Sequence, residues 1–331
     1  MFLYLPRFSV ENQFDVTTTF MMLPSARRMV LSSIFLASVV TSTHAQVDLY
    51  QRSFLEVKTG IGGSLFFGDL GGSAGRGKAG FFDWDIATTR QNYSAGLKIN
   101  LSNSIAVRGD VFHTTLTGND AHSGDRARYE RNLNFKTELT EMSFTVEFLS
   151  INLSRFMKNK RSTWQLYTFA GYGLIRFNPQ GYYKGQWVDL QPLGTEGQGI
   201  LPGTELYSLT SHVVPFGFGF RKDVLHNLYI GFEVSMRKSF TDYIDDVSGN
   251  YADKELIREH RGDLAAEMSE RNNFTTPEAG SIRGNPNSND NYSFVQLTLA
   301  KGFGKRQARQ RIVKFSAKRN HGLKCPNFKK G

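Results

Sequence analysis

The sequence predicts an all-β fold: an eight-stranded antiparallel transmembrane β-barrel with long extracellular loops, short periplasmic turns and a basic C-terminal tail. Three observations carry this prediction. From Phe54 onward, apolar and polar residues alternate with period two in eight separate segments. The connections between these segments alternate between short and long. An export signal precedes them all. The chain holds no apolar run of the roughly 18 residues that a membrane helix requires. A strand barrel needs none, because every second residue of each strand faces a polar interior.

The export signal reads from Arg27-Arg28 through the apolar run Val30 to Val40 to Thr43-His44-Ala45, with cleavage expected before Gln46. Residues 1–20 do not fit a signal peptide and are expected to lie upstream of a start at Met21, Met22 or Met29. The expected organisation is therefore a signal peptide at 21–45, a barrel at 46–303 and a basic periplasmic tail at 304–331. That tail carries ten Lys/Arg and no Asp/Glu, which accounts for the formal charge of +10 and leaves the barrel nearly neutral. Cys325 is the single cysteine, so no internal disulfide framework stabilises the fold.

In the first strand Leu55, Val57, Thr59, Ile61 and Leu65 oppose Glu56, Lys58, Gly60, Gly62 and Ser64. The second sets Tyr93, Ala95, Leu97, Ile99 and Leu101 against Ser94, Lys98 and Asn100, and the third sets Ile105, Val107 and Val111 against Arg108 and Asp110. The fourth opposes Met142, Phe144, Val146 and Phe148 to Glu141, Ser143, Thr145 and Glu147. A fifth, from about Trp164 to Phe177, has no clean polar face and leaves its register open. The sixth places Val214, Phe216, Phe218 and Phe220 opposite Gly217, Gly219 and Arg221. The seventh places Leu228, Ile230, Phe232, Val234 and Met236 opposite Tyr229, Glu233, Ser235 and Arg237. The eighth, Tyr292 to Phe303, presents Val295, Leu297 and Leu299.

Short links around Asn103, Lys158-Asn159-Lys160 and Asp223 to Asn227 join strands two to three, four to five and six to seven. Long loops at about 68–91, 115–140, 178–206 and 239–291 fill the other connections, the last with a helix from about Ala252 to Arg271. Such asymmetry puts turns in the periplasm and loops outside a bacterial outer membrane, with both termini periplasmic. A soluble eight-stranded barrel would instead bury the apolar face around a lipophilic ligand. Loop asymmetry and aromatics near strand ends favour the membrane form: Phe54, Phe67, Tyr93, Trp164, Phe177, Tyr207, Tyr229, Tyr292 and Phe303 suit two interfacial girdles. The expected lumen charges are Glu56, Lys58, Lys98, Arg108, Asp110, Glu141, Glu147, Arg221, Glu233 and Arg237.

Other motifs carry less. Gly72 to Lys78 has most of a P-loop, but Ala79 stands where a Mg²⁺-binding Ser or Thr belongs, so a glycine-rich surface loop is expected. Gly60-Ile61-Gly62-Gly63 sits inside a strand pattern, where glycine makes room in a crowded lumen. Asp242, Asp245 and Asp246 could offer oxygen ligands to Ca²⁺, although they lack EF-hand spacing; loop folding by aspartate-to-backbone hydrogen bonds is the alternative. No HExxH or GxSxG sets up a nucleophile, and neither catalysis nor a cofactor is expected. In the tail, Lys305, Arg306, Arg309, Arg311 and Lys314 are the expected contacts for an acidic periplasmic partner, because export argues against nucleic acid.

Four segments resemble a known family: Gly68-Asp69-Leu70, Leu193 to Gly199, Pro215-Phe216-Gly217 and Phe240 to Ser248, with Arg283-Gly284-Asn285 and Asn289 to Tyr292 adding to the likeness. They resemble the PorG-like outer-membrane β-barrel family of Gram-negative bacteria, which includes a component of type IX secretion. That resemblance covers about residues 46–303 and implies fold and location first. It also implies a possible anchor for periplasmic secretion-machine proteins. The expected function is a non-enzymatic membrane anchor or docking scaffold. The alternative is a barrel that binds or transports a small lipophile or ion at its outer rim.

Overall fold

The computed structural model describes residues 54–70, 89–102, 104–152, 164–225, 227–272 and 274–304. The signal segment, the P-loop-like stretch, the Lys158-Asn159-Lys160 link, the basic tail and Cys325 lie outside the described residues. Eight long strands build one sheet: β1 (Leu55–Phe67), β2 (Arg90–Asn100), β3 (Ile105–Asn119), β4 (Asn134–Asn152), β5 (Trp164–Tyr183), β7 (Thr210–Leu225), β8 (Leu228–Ser239) and β9 (Asn291–Phe303). A short strand, β6 (Gln186–Asp189), folds back on the end of β5. Each long strand pairs antiparallel with its chain neighbours, and β1 pairs with β9 from Leu55↔Phe303 to Phe67↔Asn291, which closes the barrel. Closure removes every sheet edge from the long strands.

The two faces of the wall are inverted relative to a soluble barrel. Met142, Phe144 and Leu297 are 64%, 59% and 61% exposed on the outside, whereas Arg108 and Glu233 are 1% and 3% exposed within. Outward residues in register, such as Phe232, Leu297 and Ile61, or Val107, Val146 and Ala170, form an apolar belt on the wall. A belt of this kind is stable against hydrocarbon and costly in water.

Above the belt, on the loop side, the alternation keeps its period and reverses its phase. In β3 the inward residues change from Arg108 and Asp110 to Phe112 and Leu116, while the outward ones change from Val107 and Val111 to His113 and Thr115. In β4, Phe135 and Leu139 point inward at the loop side, and Glu141 and Glu147 point inward further down. The loop-side strand ends therefore enclose an apolar plug of Phe112, Leu116, Phe135, Leu139, Ile175, Phe177, Tyr292 and Phe294, extended by Ile244 and Val247 from the β8–β9 loop. β5 settles its register with Gln165, Tyr167, Ile175 and Phe177 inward and Leu174 and Arg176 outward.

Several expectations need correction. The loop expected at 115–140 shrinks to 120–133, because β3 and β4 continue past the point where their outward residues turn polar. β5 likewise runs on to Tyr183 and turns back through β6. Phe177, Tyr229 and Tyr292 are buried inside the wall, so they do not belong to an outer girdle; Phe54, Tyr93 and Phe303 are exposed as expected. Leu65, expected outward, is buried at the loop end of β1. The single helix expected at 252–271 is two: α2 (Lys254–Arg261) and α3 (Asp263–Ser269) break at Gly262, whose φ of +84° a helix does not accept. A third helix, α1 (Arg126–Arg131), lies in the β3–β4 loop, with the Asp125 carboxylate accepting from Ala127 N and Arg128 N at its start. Glycine in the strand pattern has its expected use at Gly62, where a Cβ would sit 1.8 Å from the Val295 carbonyl oxygen.

Candidate functional site

The turn-side half of the lumen gathers the charges that alternation placed there. Lys58 from β1 donates to both carboxylate oxygens of Glu233 on β8, at 2.7 and 2.8 Å. Arg108 from β3 donates to the same carboxylate at 3.0 Å, and the Tyr167 hydroxyl of β5 donates to it at 2.6 Å. Lys98 pairs with Glu56 at 3.1 Å and with Glu147 at 2.9 Å, while Arg221 pairs with Glu56 at 2.7 Å. Asp110 lies 2.5 Å from Arg108 Nε. Four carboxylates thus meet four cations, and the layer is neutral. Burying such charges is tolerable only because each is paired with an opposite charge, and Glu56, Glu147 and Glu233 accept hydrogen bonds as well. The space left among them is about 20 Å³, room for a single water.

Between this layer and the apolar plug, Arg237 pairs with Glu141 at 3.1 Å, and Glu141 also accepts from the Tyr292 hydroxyl at 2.8 Å. The guanidinium lies over the Phe294 and Phe112 rings, with centroids at 3.9 and 4.6 Å. All ten residues expected as lumen charges are buried inside the barrel.

A carboxylate-rich cap closes the loop side. Asp245 accepts from Leu70 N at 2.9 Å and from Val247 N at 3.0 Å, and Asp290 accepts from Ile244 N at 2.8 Å. Asp246 accepts from the Thr195 hydroxyl and the Tyr207 hydroxyl, both at 2.6 Å. Tyr207 stacks flat on Tyr243, with centroids 4.4 Å apart. Two buried arginines rivet the loops together. Arg131 donates to Asp120, to the Asp69 carbonyl and to the Arg283 carbonyl. Arg283 donates to Glu196 and to the Asp246 carbonyl. Glu196 in turn accepts from Ser248 N and Gly249 N.

Asp245 and Asp246 spend their oxygens on loop backbone, hydroxyls and Arg283. Among the described residues no group of three or more His, Cys, Asp or Glu is arranged to hold a metal ion. Burial pushes Asp242 up to about 7, with Asp69 and Glu196 reinforcing and the Ser248 hydroxyl opposing. Burial likewise pushes Asp246 up to about 6 against the pull of Arg283. Asp245 and Asp290 rise well above the ordinary carboxylate range, through burial first and nearby carboxylates second.

Sequence reasoning did not single out Asp120, Arg131, Glu196, Arg283 and Asp290 as a unit. The available signal was the set of scattered segments carrying the family likeness: Gly68-Asp69-Leu70, Leu193 to Gly199, Phe240 to Ser248, Arg283-Gly284-Asn285 and Asn289 to Tyr292 all meet in this cap. Among the described residues the histidines form no such unit. His113 contacts the Thr140 hydroxyl, His212 contacts the Tyr172 hydroxyl and His260 contacts the Leu256 carbonyl.

An apolar exterior, a salt-bridged interior and a capped mouth define a membrane-type β-barrel whose lumen is filled by its own side chains. The chain belongs to the family described as a domain of unknown function, DUF6089, whose model matches residues 28–267, through β8 and most of the cap. A search of curated proteins finds no match. Among solved structures the chain is similar to Neisserial surface protein A, with 10% identity and a TM-score of 0.37 over 77% of this chain and 100% of that one. It is also similar to Ail, the attachment invasion locus protein of Yersinia pestis, with 10% identity and a TM-score of 0.34 over 75% and 97% of the two chains. The outer membrane protein AlkL shows 9% identity and a TM-score of 0.31 over 80% and 96%.

Proposed function

We propose that the protein is a non-enzymatic barrel of the bacterial outer membrane that anchors a periplasmic partner, with its turns and both ends of the barrel facing the periplasm. The observation that carries this reading is the filled lumen: a barrel with room for a single water between its buried ion pairs is built to stay put in a membrane, not to pass solutes. The strand ends support the polarity. Phe54 and Gly304 both leave the barrel on the turn side, so the chain beyond Gly304 starts on the face opposite the cap.

The basic tail, with Lys305, Arg306, Arg309, Arg311 and Lys314 at its start, is then the docking element for an acidic periplasmic surface. The PorG-like resemblance of the cap segments makes the type IX secretion machinery the partner class to examine first. The competing reading, a barrel that binds or transports a small lipophile or ion at its outer rim, is not the one the filled lumen favours.

Deleting residues 305–331 tests the proposal. The barrel should still fold and insert, shown by heat-modifiable gel mobility and surface labelling of loop cysteines, while co-purification of periplasmic proteins is lost. With the intact chain, that association should weaken as salt brings the Debye length below about 8 Å. Unchanged co-purification by the deletion would remove the tail as the docking element.

A further inference from the structure

We propose that the outer wall of β5, β7 and β8 carries a binding site for the phosphate of an anionic membrane lipid, built from Arg176 and Lys238 around the stacked pair Tyr172 and His212. The inference rests on the membrane reading of the apolar belt. Arg176 is outward and exposed on β5, with Thr140 of β4 on one side and Thr210 of β7 on the other. Lys238 is exposed at the loop end of β8, opposite Val214 of β7. Between them His212 stacks on Tyr172, centroids 5.5 Å apart at 29°, and the two are hydrogen-bonded.

The level of these groups decides what they meet. Leu174, level with His212 and between Tyr172 and Arg176 on β5, belongs to the belt, as do Phe216 and Met236 on the turn side of His212 and Lys238, so Arg176 and Lys238 stand at the loop-side margin of the belt, where hydrocarbon gives way to headgroups. Cations at that height extend toward lipid phosphate, Arg as a planar fork and Lys as a point charge. In the hydrogen-bonded Tyr172–His212 pair one proton is held between the two groups, and the other, on the imidazole or the hydroxyl, is left to donate to a phosphate oxygen.

Charge complementarity is left open on the protein side. Among the described residues neither Arg176 nor Lys238 makes an ion pair, in contrast to the lumen cations Arg221 and Arg237, which are paired with Glu56 and Glu141. The outward residues of the loop-side halves of β5, β7 and β8 include no carboxylate; the carboxylates in register beside them are Glu138, opposite Asn178 on β4, and Asp189 of β6, which accepts from Asn178 and Gln180.

The test uses the full barrel in nanodiscs of mixed phosphatidylcholine and phosphatidylglycerol, with native mass spectrometry reading the lipids that stay bound on release. Retention of phosphatidylglycerol over phosphatidylcholine should fall about fivefold in Arg176→Gln or Lys238→Gln and about 25-fold in the double variant. Lys222→Gln, on the turn side, should leave the wild-type ratio of this loop-side site within about twofold. Added inorganic phosphate should not displace the lipid; displacement would make this a free-phosphate site and overturn the proposal. An unchanged lipid ratio in the double variant would overturn it as well, while insertion stays intact. Failure of the wild type to insert would remove the membrane reading and this site together.

Discussion

The two halves of the barrel interior solve one packing problem with opposite chemistry. On the turn side, Glu56, Lys58, Lys98, Arg108, Glu147, Arg221 and Glu233 fill the lumen with crossed ion pairs, and the wall outside them is apolar. On the loop side, Phe112, Leu116, Phe135, Leu139, Ile175 and Phe177 fill it, and the wall outside turns polar. The difference follows the solvent. Where lipid surrounds the wall, the interior is the only place for polar side chains; where water surrounds it, an ordinary hydrophobic core returns.

The largest effect that could break this comparison belongs to Glu233, the acceptor shared by Lys58, Arg108 and Tyr167. Glu233→Ala strands buried cations and should cost about 3–5 kcal/mol of folding stability. Urea titration of the barrel refolded into lipid measures it, and a loss under about 1 kcal/mol would mean the turn-side layer is hydrated instead of paired.

Phe177→Ala empties part of the loop-side plug and should cost about 3–5 kcal/mol by the same titration. If the two halves differ as described, its cost should persist in detergent-free water-exposed loops and not vary with bilayer thickness. Phe232→Arg, on the lipid face opposite Leu297, should cost about 2–4 kcal/mol. Thr115→Arg, outward on the polar extension of β3, should fall within about 0.5 kcal/mol of wild type. Equal costs at Phe232 and Thr115 would contradict the placement of the belt.

The smallest effect sharpens the account of the cap. Asp242 and Asp246 have folded-state values raised to about 7 and about 6, above the ordinary carboxylate range of the unfolded chain. The stability they contribute is therefore fully present in acid and is lost as pH rises through those values. Hydrogen exchange of the segment around residues 240–250, corrected for intrinsic rates, should show stronger protection at pH 5 than at pH 8. Asp242→Asn should flatten that difference. Stronger protection at pH 8 in the wild type would reverse the sign and rule out burial as the dominant influence.

Alternation made the turn-side half legible. Val57 against Lys58 or Phe232 against Glu233 states in adjacent residues which face meets lipid, and the fold places both as that contrast implies. The loop-side half was hidden because the same strands reverse phase: Leu116 and Thr117 still alternate, but with the apolar residue inward, so the strands looked as if they stopped. β5 crosses this reversal in mid-strand with Ala170, Gly171 and Gly173 between its two halves, which is why its register could not be read. The cap was only partly legible. Its aspartates stood out as a cluster, but their partners come from Leu70, Thr195, Glu196 and Arg283, at separations no local pattern encodes.

The central claim is that both halves are filled by their own side chains, so that removing the cap alone opens no channel. Conductance of the purified barrel in planar bilayers tests it most directly, with the wild type beside a variant whose cap segment between β8 and β9 is shortened. The account predicts no steady current from either protein, because the turn-side ion pairs still block the lumen. A sustained ion current from the inserted wild-type barrel would contradict it.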